Sequence, residues 1–150
     1  EEAPWSPVSA PDLAREYPLI LISGSRYREF HHSSHRQIEG CRRHHPDPVL
    51  EMAPETAAEL DLSEGDWALI ETPLGAVRQR VRLLEGLDPR VVHADGYWWF
   101  PERDGAEPSL FGAWESNINS ILPDDPEVSD YAGNNYFRGL LCRVRREESR

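Results

Sequence analysis

A regular alternation of side chains over residues 76–83 constrains the fold of this chain more than any other feature. Successive side chains of an extended strand point to opposite faces, so this segment would have one apolar face and one basic face. A turn-forming segment at 72–75 and an apolar segment at 67–71 precede it. The sequence therefore predicts a β-hairpin with one buried face. The predicted buried face carries Val77, Val81 and Leu83, and the solvent face carries Arg78, Arg80 and Arg82.

Other short apolar segments, bounded by turn-forming residues, predict four further strands. Residues 54–60 predict a short helix, because Pro54 occupies its first turn and alanines follow. Short strands separated by turns favour a closed barrel, since closure removes exposed strand edges. We therefore expect a mainly β domain of about six strands with short helices. The four further strands are predicted at 19–22, 48–52, 90–94 and 136–145.

The chain has 150 residues, which fits a single domain. Residues 1–17 are rich in proline and predict a linker or an extended arm, and residues 147–150 predict a frayed tail. The barrel would then occupy residues 18–146. We expect no membrane contact, because no apolar run reaches the roughly 18 residues that a spanning helix needs. Cys41 and Cys142 could form one disulfide, but two cysteines imply no disulfide framework, and they are more typical of reduced thiols in a cytoplasmic protein.

The charge is distributed unevenly along the sequence. The formal net charge is −11, which opposes general binding of nucleic acid. Residues 24–45 nevertheless contain five arginines and five of the six histidines. A local basic stretch in an acidic protein indicates one small anionic ligand rather than a charged polymer.

Small residues follow the first predicted strand directly, in the segment Ser23-Gly24-Ser25-Arg26. Such residues let a ligand approach backbone N–H groups, and Arg26 could hold a phosphate through two hydrogen bonds. The segment lacks the Gly-Lys-Ser/Thr of a Walker loop and the glycine spacing of a Rossmann turn. Taken alone, it is more typical of an ordinary turn.

Histidines 31 and 35 are four residues apart and could share a helical face that binds zinc. The zinc-protease pattern requires a glutamate after the first histidine, but His32 occupies that position. A zinc hydrolase would therefore lack its general base. The other interpretation is that these histidines are solvated or hydrogen-bonded in a loop.

Aromatic and amide side chains cluster in the long aperiodic region at 95–135. The block Tyr97–Phe100 could stack on a flat heterocycle, and Asn117 and Asn119 could hydrogen-bond to its edge. The alternative is an apolar surface covered by a partner or by loops of the domain. A loop of this length is usually functional or docked on another structure. The segment 134–138, Asn-Asn-Tyr-Phe-Arg, reads singly as a turn.

Together these segments resemble the molybdopterin dinucleotide-binding domain of the dimethyl-sulfoxide-reductase family. The resemblance runs in order from about residue 18 to residue 145. The segments at 96–101 and 115–119 are most similar to the acetylene-hydratase-like and anaerobic dehydrogenase branch. The other matching segments are Ser23–Arg26, Phe30–Gln37, Pro54–Leu60, Glu64–Asp66 and Thr72–Gly75.

This resemblance implies a six-stranded double-psi β-barrel that binds a molybdopterin guanine dinucleotide carrying molybdenum or tungsten. In that family the domain comes last and closes over the cofactor, so its partners would be upstream domains of the same polypeptide or a catalytic subunit. Metal-ligand and cluster motifs are absent from these 150 residues, so we expect no complete catalysis from them alone. By resemblance, the cofactor-binding residues would be Ser23, Gly24, Ser25, Arg26, His32, Ser33, Arg36, Asn117, Asn119 and Arg138.

A non-enzymatic function is the competing hypothesis, because double-psi barrels also serve as peptide- or protein-binding modules. The two hypotheses differ in geometry. A pterin site requires residues 24–36, 117–119 and 138 on one side of the barrel, whereas a peptide-binding module would leave them scattered.

Overall fold

Six strands form a closed barrel in the part of the chain that the computed structural model describes, namely residues 5–24, 27–99, 110–126, 129 and 132–148. Three short α-helices and two 3-10 turns, at Leu110–Gly112 and Ile118–Ile121, accompany them. The strands are β1 (Leu19–Ser23), β2 (Val49–Met52), β3 (Trp67–Thr72), β4 (Gly75–Leu83), β5 (Val91–Ala94) and β6 (Arg138–Arg146), and the helices are α1 (Leu13–Glu16), α2 (Glu39–His44) and α3 (Pro54–Glu59).

The strands follow the order β1-β5-β2-β4-β3-β6 around the barrel, and β6 closes against β1. Two pairs are parallel, β1 with β5 and β2 with β4, and the remaining pairs are antiparallel. This arrangement is the double-psi β-barrel that the resemblance implied. The carboxyl ends of β1 and β5 consequently lie side by side at one rim of the barrel.

Alternating side chains fill the barrel interior. Leu21, Leu50 and Ile70 are fully buried, and the burial of each adds about 1.5–3 kcal/mol of hydrophobic stabilisation. Leu140 and Cys142 of β6 are also fully buried, as the alternation in that segment predicted.

The predicted hairpin of β3 and β4 is confirmed, but the burial predicted for one of its residues is wrong. Val77 and Val81 are buried, whereas Leu83 is 36% exposed. The pairing of β3 with β4 begins at Trp67 and Arg80, so the end of β4 extends beyond β3 and leaves the covered part of the barrel. The third inward side chain is instead Gln79, which is fully buried.

The segment before β1 contacts the barrel. The backbone C=O of Trp5 accepts a hydrogen bond of 2.8 Å from the N–H of Leu141, and Trp5 packs against the core. Residues 13–16 form α1, and Tyr17 is buried. In the described residues, no helix has the length and apolar character needed to cross a membrane.

Candidate functional site

A cleft of about 620 Å³ opens at the rim where β1 and β5 end. Residues directly after each strand form one wall, Ser23 and Gly24 after β1 and Gly96 and Tyr97 after β5. Segments that precede β6 and follow the second 3-10 turn form the other wall. The remaining lining residues are Asn119, Leu122, Pro123, Asp124, Gly133, Asn134, Asn135 and Phe137.

Two glycines bring the backbones of the first wall into contact. Gly24 has φ +87°, a conformation that residues with a side chain adopt at a cost. A Cβ added to Gly96 would lie 3.4 Å from both the N and Cα atoms of Gly24. Hydrogen at position 96 therefore lets the two loops touch at the wall of the cleft.

The asparagines at 117 and 119 have different positions. Asn119 is exposed and lines the cleft. Asn117 is only 4% exposed and caps the second 3-10 turn, where its Oδ1 accepts a hydrogen bond of 3.2 Å from the N–H of Asn119. Asn119 is thus placed to contact a ligand, and Asn117 holds the turn that presents it.

A stack of three rings lies beside the cleft. The imidazole of His32 stacks on the ring of Tyr97 with centroids 4.4 Å apart and planes 8° apart. His31 stacks on His32 at 4.7 Å. Because Tyr97 lines the cleft, the stack connects the predicted histidine segment to it. Ser33, also predicted, is half-buried and lies outside the described lining of the cleft.

Arg36 lies beneath the cleft wall rather than in the cleft. It is 1% exposed, and its guanidinium carbon lies 4.4 Å from the ring centroid of Phe30 and 4.3 Å from that of Trp98. Its Nη2 donates a hydrogen bond of 3.1 Å to the C=O of Gly96. Arg36 therefore supports the glycine loop from behind.

Arg138 lies at the start of β6 next to the cleft. Its Nε donates a hydrogen bond of 3.4 Å to the C=O of Ser23, and its side chain is exposed. A neighbouring cavity of about 450 Å³ is lined by residues 134–138.

Three of the predicted residues, Ser25, Arg26 and the aromatic Phe100, lie outside the described residues.

A buried polar cluster beneath this rim was missed by the sequence analysis. Nε2 of His45 lies 2.6 Å from Oδ2 of Asp95, and both side chains are almost fully buried. The amide group of Gln79 hydrogen-bonds to the backbone of Asp95. One indication was available, because Gln79 shares the inward face of its strand with Val77 and Val81. The polar rim residues Asn134 and Asn135 had been interpreted only as a turn.

The zinc interpretation finds no support in the described residues. They contain no group of three or more His, Cys, Asp or Glu side chains that could hold a metal ion. The rings of His31 and His32 stack face to face instead of converging on one point.

Known proteins are similar to this chain in sequence and in fold. The family model described as "Molydopterin dinucleotide binding domain" matches residues 19–141. The chain is 40% identical over 145 residues to a dopamine dehydroxylase of Eggerthella lenta, covering 95% of this chain and 14% of that protein. It is 37% identical over 126 residues to an acetylene hydratase of Syntrophotalea acetylenica, covering 79% of this chain and 16% of that protein.

The structural comparison agrees with the sequence comparison. The solved structure of acetylene hydratase from Pelobacter acetylenicus superposes with a TM-score of 0.88 and 29% identity, covering 98% of this chain and 21% of that protein. This chain thus corresponds to one domain of a much larger catalytic protein, and a peptide-binding module is not favoured. The match over residues 19–141 means that the chain belongs to the molybdopterin dinucleotide-binding domain family of molybdoenzyme oxidoreductases.

Proposed function

We propose that this domain binds a molybdopterin guanine dinucleotide, carrying molybdenum or tungsten, as the C-terminal domain of a cytoplasmic oxidoreductase. One observation carries the proposal. Gly24 of the small-residue loop and Asn119 of the amide segment are 95 positions apart in sequence, yet both line one cleft. Peptide binding would not require these two segments to meet.

The lining of the cleft fits such a ligand chemically. Gly24 and Gly96 both line the cleft, and glycine lets a phosphate or a ring edge approach the backbone closely. The amide of Asn119 can donate and accept hydrogen bonds along a heterocycle. The carboxylate of Asp124 accepts only, so it suits the N–H edge of a pterin or base and not a phosphate. The exposed guanidinium of Arg138 supplies positive charge beside the cleft.

The cleft has the size of a small-molecule site, and we expect it to hold part of the dinucleotide. Small-molecule sites typically enclose about 300–1,000 Å³, and the value here, about 620 Å³, lies within that range. The rest of the cofactor would lie against the other domains. The cofactor supplies the redox chemistry when bound, and this domain positions and covers it. We expect no turnover from the isolated domain with added cofactor.

Protein-observed NMR tests this proposal directly. The isotopically labelled protein is titrated anaerobically with pterin guanine dinucleotide extracted from a molybdoenzyme, and separately with GDP and with 6-hydroxymethylpterin. We expect saturable shifts at the amides of Gly24, Gly96 and Asn119. The two smaller probes show which half of the cofactor occupies the cleft.

The variant Asn119→Ala should weaken binding about tenfold, equivalent to about 1.4 kcal/mol. Gln37→Ala is the matched control, because Gln37 is an exposed amide outside the cleft lining. The proposal is refuted if the dinucleotide leaves the cleft amides unchanged at millimolar concentration, or if it shifts residues across the whole barrel equally.

A further inference from the structure

Asp95 forms the centre of the buried polar cluster beneath the cleft. It follows β5 directly, and its side chain is fully buried. Its Oδ2 lies 2.6 Å from Nε2 of His45 and accepts a hydrogen bond of 3.0 Å from the N–H of Val49. Its Oδ1 is also buried. A carboxylate is costly to bury, so this position needs a reason beyond filling space.

The backbone of Asp95 is connected to the amide segment of the cleft. Gln79 accepts a hydrogen bond of 2.9 Å from the N–H of Asp95 and donates one of 3.0 Å to its C=O. The same amide group donates a hydrogen bond of 3.2 Å to the C=O of Ser116. Ser116 immediately precedes Asn117, the cap of the turn that carries Asn119. A displacement of the Asp95 backbone would therefore also move Asn119, whose amide lines the cleft.

The carboxylate of Asp95 is connected to the loop after β1. The ring of Tyr27, the residue directly after Ser25-Arg26, packs on the imidazole of His45 with centroids 4.4 Å apart. Burial and the nearby Asp95 carboxylate raise the pKa of the Tyr27 hydroxyl. Tyr27 thus anchors the end of the small-residue loop on the His45–Asp95 pair.

The residue after Asp95 is connected to the histidine-containing segment. The C=O of Gly96 accepts a hydrogen bond from Arg36, whose Nε also donates to the C=O of His32 at 3.4 Å. Three separate segments, each predicted to carry cofactor contacts, are therefore attached to one dipeptide, Asp95-Gly96.

We propose that Asp95, paired with His45, is a positioning residue that sets the relative placement of these three segments around the cleft. This inference rests on the proposed function for its ligand. Replacing one partner of a buried pair leaves the other uncompensated, and in some proteins such pairs fix one arrangement of the chain. Asp95 itself lies outside the cleft lining and acts through Gly96, Gln79 and Tyr27.

The variant Asp95→Asn tests the inference, since it keeps the volume and removes the charge. We expect binding of the pterin guanine dinucleotide to weaken at least tenfold in protein that remains folded by circular dichroism. We also expect the amides of Gly24, Tyr97 and Asn119 to shift in the protein without any probe. The control is Thr56→Val, which removes a partly buried hydrogen bond to Pro89 at the opposite end of β5 and should change affinity less than twofold.

His45→Gln provides a second variant that removes the potential cation and retains a hydrogen-bonding group, in case Asp95→Asn does not fold. Unchanged affinity and unchanged cleft amides in the folded variants would overturn the inference. Equal losses of affinity in Asp95→Asn and Thr56→Val would also overturn it, because they would reflect stability alone. If wild-type protein binds no probe, the proposed function fails, and the shifts measured without probe still decide whether Asp95 positions the loops.

Discussion

Replacement of Gln79 by leucine should destabilise the barrel strongly, although leucine fits the apolar interior. Gln79 is fully buried, and its amide satisfies three backbone groups: the N–H and C=O of Asp95 and the C=O of Ser116. Leucine has similar size but no hydrogen-bonding atom, so the C=O groups of Asp95 and Ser116 lose the hydrogen bonds that Gln79 donates. The N–H of Asp95 retains a hydrogen bond of 3.0 Å to the C=O of Val49. A buried polar group left without a partner costs about 1–3 kcal/mol.

The expected loss follows from these two carbonyl groups. If both remain dry and unmoved, the free energy of unfolding falls by about 2–6 kcal/mol, and local relaxation brings it towards the lower value. A loss of about 2 kcal/mol is a substantial part of the roughly 5–15 kcal/mol typical of a domain. For a domain of this length, it corresponds to a decrease in melting temperature of roughly 4–8 °C.

Urea unfolding followed by tryptophan fluorescence, together with thermal unfolding by circular dichroism, measures this loss. Gln37→Leu is the matched control, because it makes the same substitution at an exposed position and should change stability by no more than about 0.5 kcal/mol. A loss below about 1 kcal/mol in Gln79→Leu, with an unchanged urea dependence, would refute the assigned role of this amide.

Three further predictions concern other parts of the barrel. Gly24→Ala should destabilise the domain by about 1–2 kcal/mol, because φ is +87° at that position and the added Cβ would lie 3.3 Å from an aromatic ring. Its control is Gly40→Ala in α2, where the added Cβ meets no atom within 4 Å. Gly40→Ala should be neutral or stabilising in the same urea experiment. Burial raises the pKa of the Cys142 thiol. Iodoacetamide at pH about 8, near the usual thiol pKa, should therefore label only Cys41 in the native protein and both thiols after unfolding. Labelling of both thiols at equal rates in the native protein would contradict this. A hydrogen bond from the neighbouring histidine lowers the pKa of Glu51 from 4.5, so its stabilising contribution is present above pH 4.5 and is lost as pH falls through the lowered value. Glu51→Gln should therefore differ from wild type most above pH 4.5 and converge with it in acid, and a constant difference across the titration would contradict the assignment.

The strands of the barrel were predictable because their signals are local. The alternation at 76–83 and the turn before it place β4 and its hairpin partner without reference to the rest of the sequence. The Pro-initiated helix was likewise predicted, at 54–60, and it is α3 (Pro54–Glu59). Alternation alone did not show where the barrel ends, so the burial of Leu83 was overestimated.

The site was predictable only in part. The small-residue loop and the exposed amide of Asn119 were identified from residue chemistry, and both lie at the cleft. Arg36 illustrates the remainder, since its guanidinium could equally have gripped a ligand or supported a loop. Its two flanking aromatic rings are supplied from positions 30 and 98, and this packing places its guanidinium beneath the cleft wall.

The sequence by itself therefore predicted a barrel of short amphipathic strands and a set of polar loops suited to an anionic, flat ligand. Only the tertiary structure decided which polar side chains face the cleft and which lie beneath it. His45 and Asp95 are separated by 50 positions, and no periodic pattern relates them. They meet because antiparallel pairing of β2 with β5 places the start of β2 beside the end of β5, and barrel closure excludes the water that would otherwise solvate the two side chains.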